Sequence, residues 1–135
     1  GATVLTGGQR AEGAALEGGH FIQPTVFGGV TDDMRIAREE IFGPVLAVRR
    51  WSDEADMLAE VNGLDVGLTC AIWTRDLATA HRAAARVEAG FVWINEVGRH
   101  FLGAPFGGVK WSGHGQEDGA EGVMHCMVPK TIHES

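Results

Sequence analysis

Short apolar runs separated by polar, glycine-containing segments set the pattern of this chain. Two β-branched runs, residues 3–6 and 25–27, each precede a glycine pair and predict strands. Residues 9–20 between them are polar without a usable period, which predicts a surface loop. Residues 34–39 follow two aspartates and predict a helical turn.

The middle of the chain alternates apolar runs with segments of helical spacing. The apolar runs predict strands at residues 44–51, 68–73 and 91–94. The first of these strands is expected to be buried on both faces. One predicted helix is capped by Ser52 and ends at Gly63, and the other is capped by Asp76 and ends at Gly90. This order predicts a parallel sheet in an α/β fold, with chemistry expected in the loop after Ile94.

Composition and charge narrow the possible partners. The chain has 135 residues, of which 44% are hydrophobic, and 11 basic against 18 acidic residues give a net charge of −7. This balance disfavours nucleic acid as a partner, and no apolar run has the length that a membrane span requires. Cys70 and Cys126 do not form a disulfide framework, which predicts a reducing, cytoplasmic location. The start lacks an initiator Met and a signal-peptide pattern, which we interpret as the start of a segment from a longer chain.

Several familiar site patterns are incomplete in this sequence. Val109 separates Lys110 from the preceding glycines, which breaks the order of a phosphate-binding loop. Residues 113–115 resemble the start of a dinucleotide fingerprint, but no predicted strand leads into them. The histidines are too scattered for a metal site. Cys126 has no clear neighbouring base, so a packed thiol is the simpler interpretation than a nucleophile.

The segment from residue 39 to residue 45 joins a charged stretch to an apolar run through a Gly-Pro turn. Glu40 could accept hydrogen bonds from a pair of ligand hydroxyls, while the ring of Phe42 packs against an apolar ring face. A carboxylate at the end of a helix is the common alternative. His100 and Phe106 flank a glycine turn and could line a pocket, whereas Lys110 and Glu117 could equally be solvated charges.

These motifs, taken in order, resemble the C-terminal part of the NAD(P)-dependent aldehyde dehydrogenase superfamily over almost the entire chain. The matching motifs are residues 24–27, 39–45, 62 with 67–68, 92–95, 105–108, 110, 112–113 and 115. The resemblance implies an aldehyde substrate and NAD or NADP as the cofactor. The implied fold is α/β, a parallel-sheet portion of a catalytic domain with a C-terminal oligomerisation strand.

The resemblance also assigns roles to single residues. Glu40 would bind the ribose hydroxyls of the nicotinamide half of the cofactor, with Phe42 beside the nicotinamide. Phe106 would line the aldehyde pocket, and His100 occupies a loop position that often carries an aromatic residue. Some members of the family bind a monovalent cation near the positions of Lys110 and Gly113, and place a proton-relay carboxylate at the position of Glu117.

Two features of the family are absent from this sequence, namely the motif of the nucleophilic cysteine with its glutamate base and the dinucleotide-binding domain. Neither Cys70 nor Cys126 matches the nucleophile, so the chain alone is predicted to be inactive. Residues 1–123 would belong to the catalytic domain, and residues 124–135 would form the oligomerisation strand and tail of a homo-oligomer. The alternative is a noncatalytic oligomerisation module that pairs through the terminal strand.

Overall fold

The computed structural model describes residues 1–135, which divide into two compact units, Gly1–Glu54 and Ala55–Ser135. The elements in chain order are β1 (Thr3–Thr6), β2 (Thr25–Gly28), α1 (Arg35–Arg38), β3 (Val45–Ala47), α2 (Glu54–Asn62), β4 (Val66–Gly67), β5 (Thr69–Ile72), α3 (Leu77–Ala84), β6 (Phe91–Ile94), β7 (Val109–Lys110) and α4 (Ala120–His125). Small strands and short helices therefore make a mixed α/β fold.

The first unit is built on a three-stranded sheet with the order β1-β2-β3. Strand β2 pairs antiparallel with β1 and parallel with β3. Thr25 opens β2 and is 3% exposed. Its hydroxyl accepts a hydrogen bond from the Gly8 amide and donates one to the Gln23 carbonyl, each 2.8 Å long. The buried hydroxyl thus fixes the loop between β1 and β2 while it both donates and accepts a hydrogen bond inside the protein.

The loop after β1 requires glycine at residue 7. Gly7 has φ +73°, and a Cβ there would overlap the carbonyl oxygen of Pro24. Both conditions exclude an ordinary side chain. The glycine pair that ended the predicted strand therefore marks a close approach of two backbone segments.

The second unit contains a parallel pair, β5 and β6, joined by helix α3. Asp76 caps α3, as predicted, by accepting a hydrogen bond of 3.0 Å from the Ala78 amide. Ala80 and Ala83 bury the inner face of the helix. Strand β4 pairs antiparallel with β7, which makes a separate two-stranded sheet.

The single parallel sheet predicted across residues 44–94 is wrong, because its first strand pairs elsewhere. Strand β3 joins β2, whereas β5 and β6 pair only with each other. The prediction that residues 44–51 form a strand buried on both faces is also wrong, since the strand covers only Val45–Ala47 and Leu46 is 59% exposed. Burial on both faces requires a packed layer on each side of the sheet, and the exposure of Leu46 and Ala47 shows that such layers are incomplete over β3.

The strand predicted over residues 124–132 does not form in this chain. Residues 120–125 form helix α4, and no helix or strand follows it. A strand needs a neighbouring edge to satisfy its backbone groups, and none pairs with this segment here. The predicted boundary after residue 123 falls within α4 and stays a prediction about the assembled protein.

Candidate functional site

The first unit presents Glu40 at the end of a short helix. Helix α1 ends where the Glu39 amide donates to the Arg35 carbonyl, and the Glu39 carboxylate accepts two hydrogen bonds from the Arg35 guanidinium, at 2.9 and 2.6 Å. These hydrogen bonds lower the pKa of Glu39 and raise that of Arg35. Glu40 is exposed and makes no such pair. Of the two adjacent carboxylates, Glu40 is the one that is available to a ligand.

A tight turn connects Glu40 to the sheet. The Gly43 amide donates to the Ile41 carbonyl, and the Val45 amide donates to the Gly43 carbonyl, both at 2.8 Å. The Pro44 carbonyl then accepts from the Thr25 amide at 2.8 Å, which anchors the turn to β2. Phe42 lies at the outer part of this turn with its side chain 96% exposed. The backbone is fixed while the aromatic ring has no cover.

The second unit carries an aromatic cluster made of Phe91, Trp93, His100 and Phe106. The ring of His100 lies 4.2 Å from that of Phe106, and Phe91 lies 4.9 Å from Trp93 and 5.6 Å from Phe106, between centroids. These separations are those of tilted aromatic pairs in protein interiors. Trp93 is buried, whereas His100 is exposed. A molecule that approaches this cluster therefore meets His100 before it meets the inner rings.

Backbone and side-chain hydrogen bonds hold the loop that carries His100. The indole of Trp93 donates to the Arg99 carbonyl at 2.7 Å, and the Gly103 amide donates to the Asp118 carbonyl at 2.6 Å. Residues Phe106 and Glu117 exchange two backbone hydrogen bonds of 2.9 and 2.7 Å. The structure thus brings together three residues that the resemblance had singled out separately, His100, Phe106 and Glu117.

Asp118 is a member of this cluster that the sequence did not single out. Its carboxylate lies 3.1 Å from Nδ1 of His100, and its backbone has φ +61°, in the left-handed region. Aspartate is among the few residues that tolerate this conformation. The pairing has no local signal in the sequence, because 18 residues separate the two side chains. The sequence predicts Phe91 only as part of a strand, and Trp93 as part of that strand and of the family motif at residues 92–95, with no site role for either.

Lys110 has a bonding role in the structure. Its ammonium donates to the carbonyls of Asn62 and Leu64 at 2.5 and 2.9 Å, and it pairs with the Glu88 carboxylate at 2.7 Å. The carbonyls at the end of α2 attract a cation, and Lys110 supplies that charge itself. The cation role near Lys110 and Gly113 stays a prediction. No group of three or more His, Cys, Asp or Glu side chains suited to a metal ion exists in this chain.

Two asparagines of the matching motifs also connect distant segments. Asn62 donates to the Arg86 carbonyl and accepts from the Glu88 amide, each at 2.8 Å. Asn95, at φ +55°, makes the same kind of double contact with the backbone of Thr74, with both bonds 2.9 Å long. Asn95 thus continues the pairing beyond the ends of β5 and β6, whereas Asn62 joins the end of α2 to the segment that follows α3.

The glycine-rich segment is packed backbone against backbone. A Cβ on Gly90 would overlap the Gly107 carbonyl, and a Cβ on Gly107 would lie 2.5 Å from the Gly115 oxygen. A Cβ on Gly108 would lie 2.5 Å from the Cβ of Ser112. Glycine at these positions is a condition of close packing. The phosphate-loop interpretation is not needed to explain them.

Neither cysteine is placed like a nucleophile. Both are free thiols, with Cys70 half-buried on β5 and Cys126 exposed at the end of α4. Burial raises the pKa of the Cys70 thiol, which keeps it protonated near neutral pH.

None of the helices combines the length and the apolar character that crossing a bilayer would need.

The chain belongs to the aldehyde dehydrogenase family, whose model matches residues 1–132. It is 54% identical over 121 residues to an aldehyde dehydrogenase, tropH, of Talaromyces stipitatus, which covers 87% of this chain and 24% of that protein. It is 47% identical over its full length to the betaine aldehyde dehydrogenase of Agrobacterium fabrum, and covers 27% of that protein. The family resemblance drawn from the motifs is confirmed.

Solved structures share the fold of the chain. A betaine aldehyde dehydrogenase of Staphylococcus aureus in complex with NAD⁺ superposes with a TM-score of 0.86 at 39% identity, over 93% of this chain and 25% of that one. The NAD⁺ complex of an aldehyde dehydrogenase from Bacillus cereus gives a TM-score of 0.83 at 45% identity, over 91% of this chain and 24% of that one. The chain spans about a quarter of the length of the relatives that it matches.

Proposed function

We propose that this chain works as a segment of an NAD(P)-dependent aldehyde dehydrogenase that oxidises an aldehyde to a carboxylic acid. The first unit supplies Glu40 and Phe42 to the nicotinamide half of the cofactor. The second unit supplies His100 and Phe106 to the aldehyde pocket, with Glu117 as a proton-relay carboxylate. The observation that carries the proposal is the pair of uncovered side chains, Glu40 and Phe42, on an anchored turn.

The side chains of Glu40 and Phe42 have the chemistry that binding of a nicotinamide nucleotide requires. An ionised carboxylate is an acceptor only, so Glu40 suits a ribose diol that has two hydroxyl hydrogens to donate. The exposed ring of Phe42 suits the face of a flat heterocycle. When bound, the cofactor supplies the hydride acceptor for aldehyde oxidation. The task of Glu40 is to orient the ribose, and the task of Phe42 is to hold the ring and exclude water.

The pocket residues fit an aldehyde with an apolar or aromatic body. Phe106 lies against His100, and its backbone is tied to that of Glu117. These contacts hold the pocket side chains before a substrate arrives, which lowers the entropy cost of binding. Thioester formation in this family needs a thiolate, and the raised pKa of Cys70 argues against its supplying one. We therefore propose that the chain alone does not turn over.

The experiment compares the 135-residue chain with the complete translated protein that contains it. Both are assayed with a panel of aldehydes and either NAD or NADP, and formation of the reduced cofactor is followed by absorbance. We expect activity in the complete protein only. Activity of the 135-residue chain that is lost in Cys126→Ala would contradict the proposal, as would a complete protein that oxidises no aldehyde.

A matched pair of substitutions tests the cofactor role. In the complete protein, Glu40→Gln is expected to raise the KM for the cofactor about tenfold, because a hydrogen bond to a charged group contributes on the order of 1.5 kcal/mol. Glu39→Gln is the control, since the Glu39 carboxylate is already held by Arg35. Equal effects of the two changes would remove Glu40 from the cofactor site.

The tail of the chain supports a second proposal, homo-oligomerisation through residues 124–132. Val128 is 90% exposed, and Ile132 is also exposed. Their backbone has no strand partner in this chain. An apolar segment without a partner in its own chain can add a strand to a sheet edge of another subunit. Measuring the size of the protein in solution with and without residues 124–135 tests this proposal. A protein that is a monomer in both forms would exclude strand exchange through this segment. A shift in mass in a protein that oxidises no aldehyde would favour the noncatalytic module.

A further inference from the structure

Asp118 and His100 form a pair with a defined direction. A carboxylate has only acceptor atoms, so the 3.1 Å contact requires the hydrogen to be on Nδ1 of His100. Neutral imidazole carries one hydrogen, and with that hydrogen on Nδ1 the other ring nitrogen, Nε2, is an acceptor. When the ring is neutral, Asp118 therefore determines which hydrogen-bonding group the half-exposed His100 side chain offers at its Nε2 edge.

The surroundings of His100 keep this edge in place. Its ring lies 4.2 Å from Phe106 and 6.2 Å from both Phe91 and Trp93, so one side of the imidazole is covered by aromatic rings. Arg99 is the neighbouring cation, and its guanidinium lies over the ring of Phe101 at 5.1 Å, with Glu96 3.7 Å away. The rings around His100 thus contact one another, and the ring of Phe101 contacts Arg99.

We propose that Asp118 is a specificity-determining positioning residue, which sets His100 as a hydrogen-bond acceptor and so favours aldehydes that carry a hydroxyl group. The inference rests on the proposed function, in which His100 lines the aldehyde pocket. A hydroxyl donates to Nε2 when the site loses its water, whereas a methoxy group of similar shape cannot. A quaternary ammonium substituent has no hydrogen to donate either, so it leaves the acceptor unpaired.

The first test is a substrate comparison in the complete protein. The three hydroxybenzaldehyde isomers are each compared with the methoxybenzaldehyde of the same substitution, and benzaldehyde and betaine aldehyde are included. For at least one isomer we expect kcat/KM to exceed that of the methoxy partner about tenfold, the size of one net hydrogen bond. Equal values for all pairs, or a preference for betaine aldehyde over every hydroxybenzaldehyde, would overturn the proposal.

Two substitutions assign the preference to the pair. His100→Phe keeps a ring against Phe106 and removes the acceptor, so the hydroxyl preference should fall to about one, mainly through KM. Asp118→Asn tolerates the left-handed backbone and allows either imidazole tautomer, so the preference should fall several-fold. Glu121→Gln is the control. It also removes one negative charge, in this case from helix α4, and should leave the hydroxyl preference unchanged. A preference that survives both substitutions of the pair would contradict the assignment.

The outcomes separate this inference from the proposed function. Oxidation of benzaldehyde without any hydroxyl preference leaves the proposed function standing and refutes the role of Asp118. If no aldehyde is oxidised, the proposed function fails. Calorimetry with hydroxybenzoates and methoxybenzoates, the corresponding products, then measures the hydroxyl preference by binding alone. Equal affinities, or a preference unaffected by His100→Phe, would refute the pair even in an inactive protein.

Discussion

Two regions that both carry family motifs differ in how their residues are used. In the second unit, the motif residues Asn62, Gly107 and Lys110 are engaged with the protein's own backbone. In the first unit, the turn at Glu40 anchors only its backbone, and its side chains reach solvent.

The contrast shows that a family motif can mark either of two requirements. A glycine at a backbone crossing is fixed by space inside the chain, so its replacement acts on stability. An exposed carboxylate or ring has no internal partner to lose, so its replacement acts on what binds there. The comparison predicts that substitutions in the two regions will separate stability from ligand affinity.

The largest effect is expected for Gly90→Ala. The added Cβ would overlap the Gly107 carbonyl oxygen, and backbone on both sides leaves little room to move. We expect a loss of about 3 kcal/mol or more in the free energy of unfolding, the upper range of overpacking. Urea denaturation of the 135-residue chain measures it. Gly115→Ala is the control, because a Cβ there meets no atom within 4 Å. Similar midpoints for the two variants would contradict the close packing.

The next prediction compares the loss of stability when each of two phenylalanines is replaced by alanine. Phe106→Ala removes a half-buried ring that contacts Phe91 and His100, and should cost about 2 kcal/mol of stability. Phe42→Ala removes a ring that is 96% exposed and should change stability by less than about 0.5 kcal/mol. Thermal and urea unfolding measure both. Equal losses would abolish the distinction between the two regions, whereas a fall in cofactor affinity confined to Phe42→Ala would sharpen it.

Lys110→Met keeps the length and apolar stem of the side chain and removes its three polar contacts. The carbonyls of Asn62 and Leu64 lose a charged donor, so we expect a loss of about 2 kcal/mol in the free energy of unfolding. Lys130→Met is the matched control, since Lys130 is exposed in the tail. A loss no larger than that of the control would show that the ammonium contributes little to this connection.

Local signals in the sequence predicted local features well. The cap of α3 at Asp76 and the strands β1, β2, β5 and β6 follow from turn residues and apolar runs, and the structure confirms them. The partner of β3 could not be predicted in this way. Apolar periodicity shows that a strand forms but carries no information about which edge it pairs with.

The candidate site combines motif residues with one residue that no motif contains. The family motifs propose site roles for Glu40, Phe42, His100 and Phe106, and these roles stay predictions, whereas no motif points to Asp118. Its contact with His100 depends on a left-handed backbone residue and on the paired backbone of Phe106 and Glu117. Such a contact arises from the tertiary path of the loop, and a single sequence contains no short-range pattern for it.

The smallest effect concerns the pH dependence of the α3 cap. Hydrogen bonds from Thr79 and Ala78 lower the pKa of Asp76 below its ordinary value, so the folded state binds the proton more weakly than the unfolded state. This contribution to stability is fully present above the ordinary aspartate pKa and is lost as the pH falls through the lowered value. Asp76→Asn keeps a capping side chain that does not titrate. Between about pH 5 and about pH 3, the midpoint of thermal unfolding should therefore fall less in Asp76→Asn than in the unmodified chain. Asp65→Asn is the control for loss of an exposed aspartate. Identical pH profiles for all three proteins would show that the cap contributes nothing to acid sensitivity.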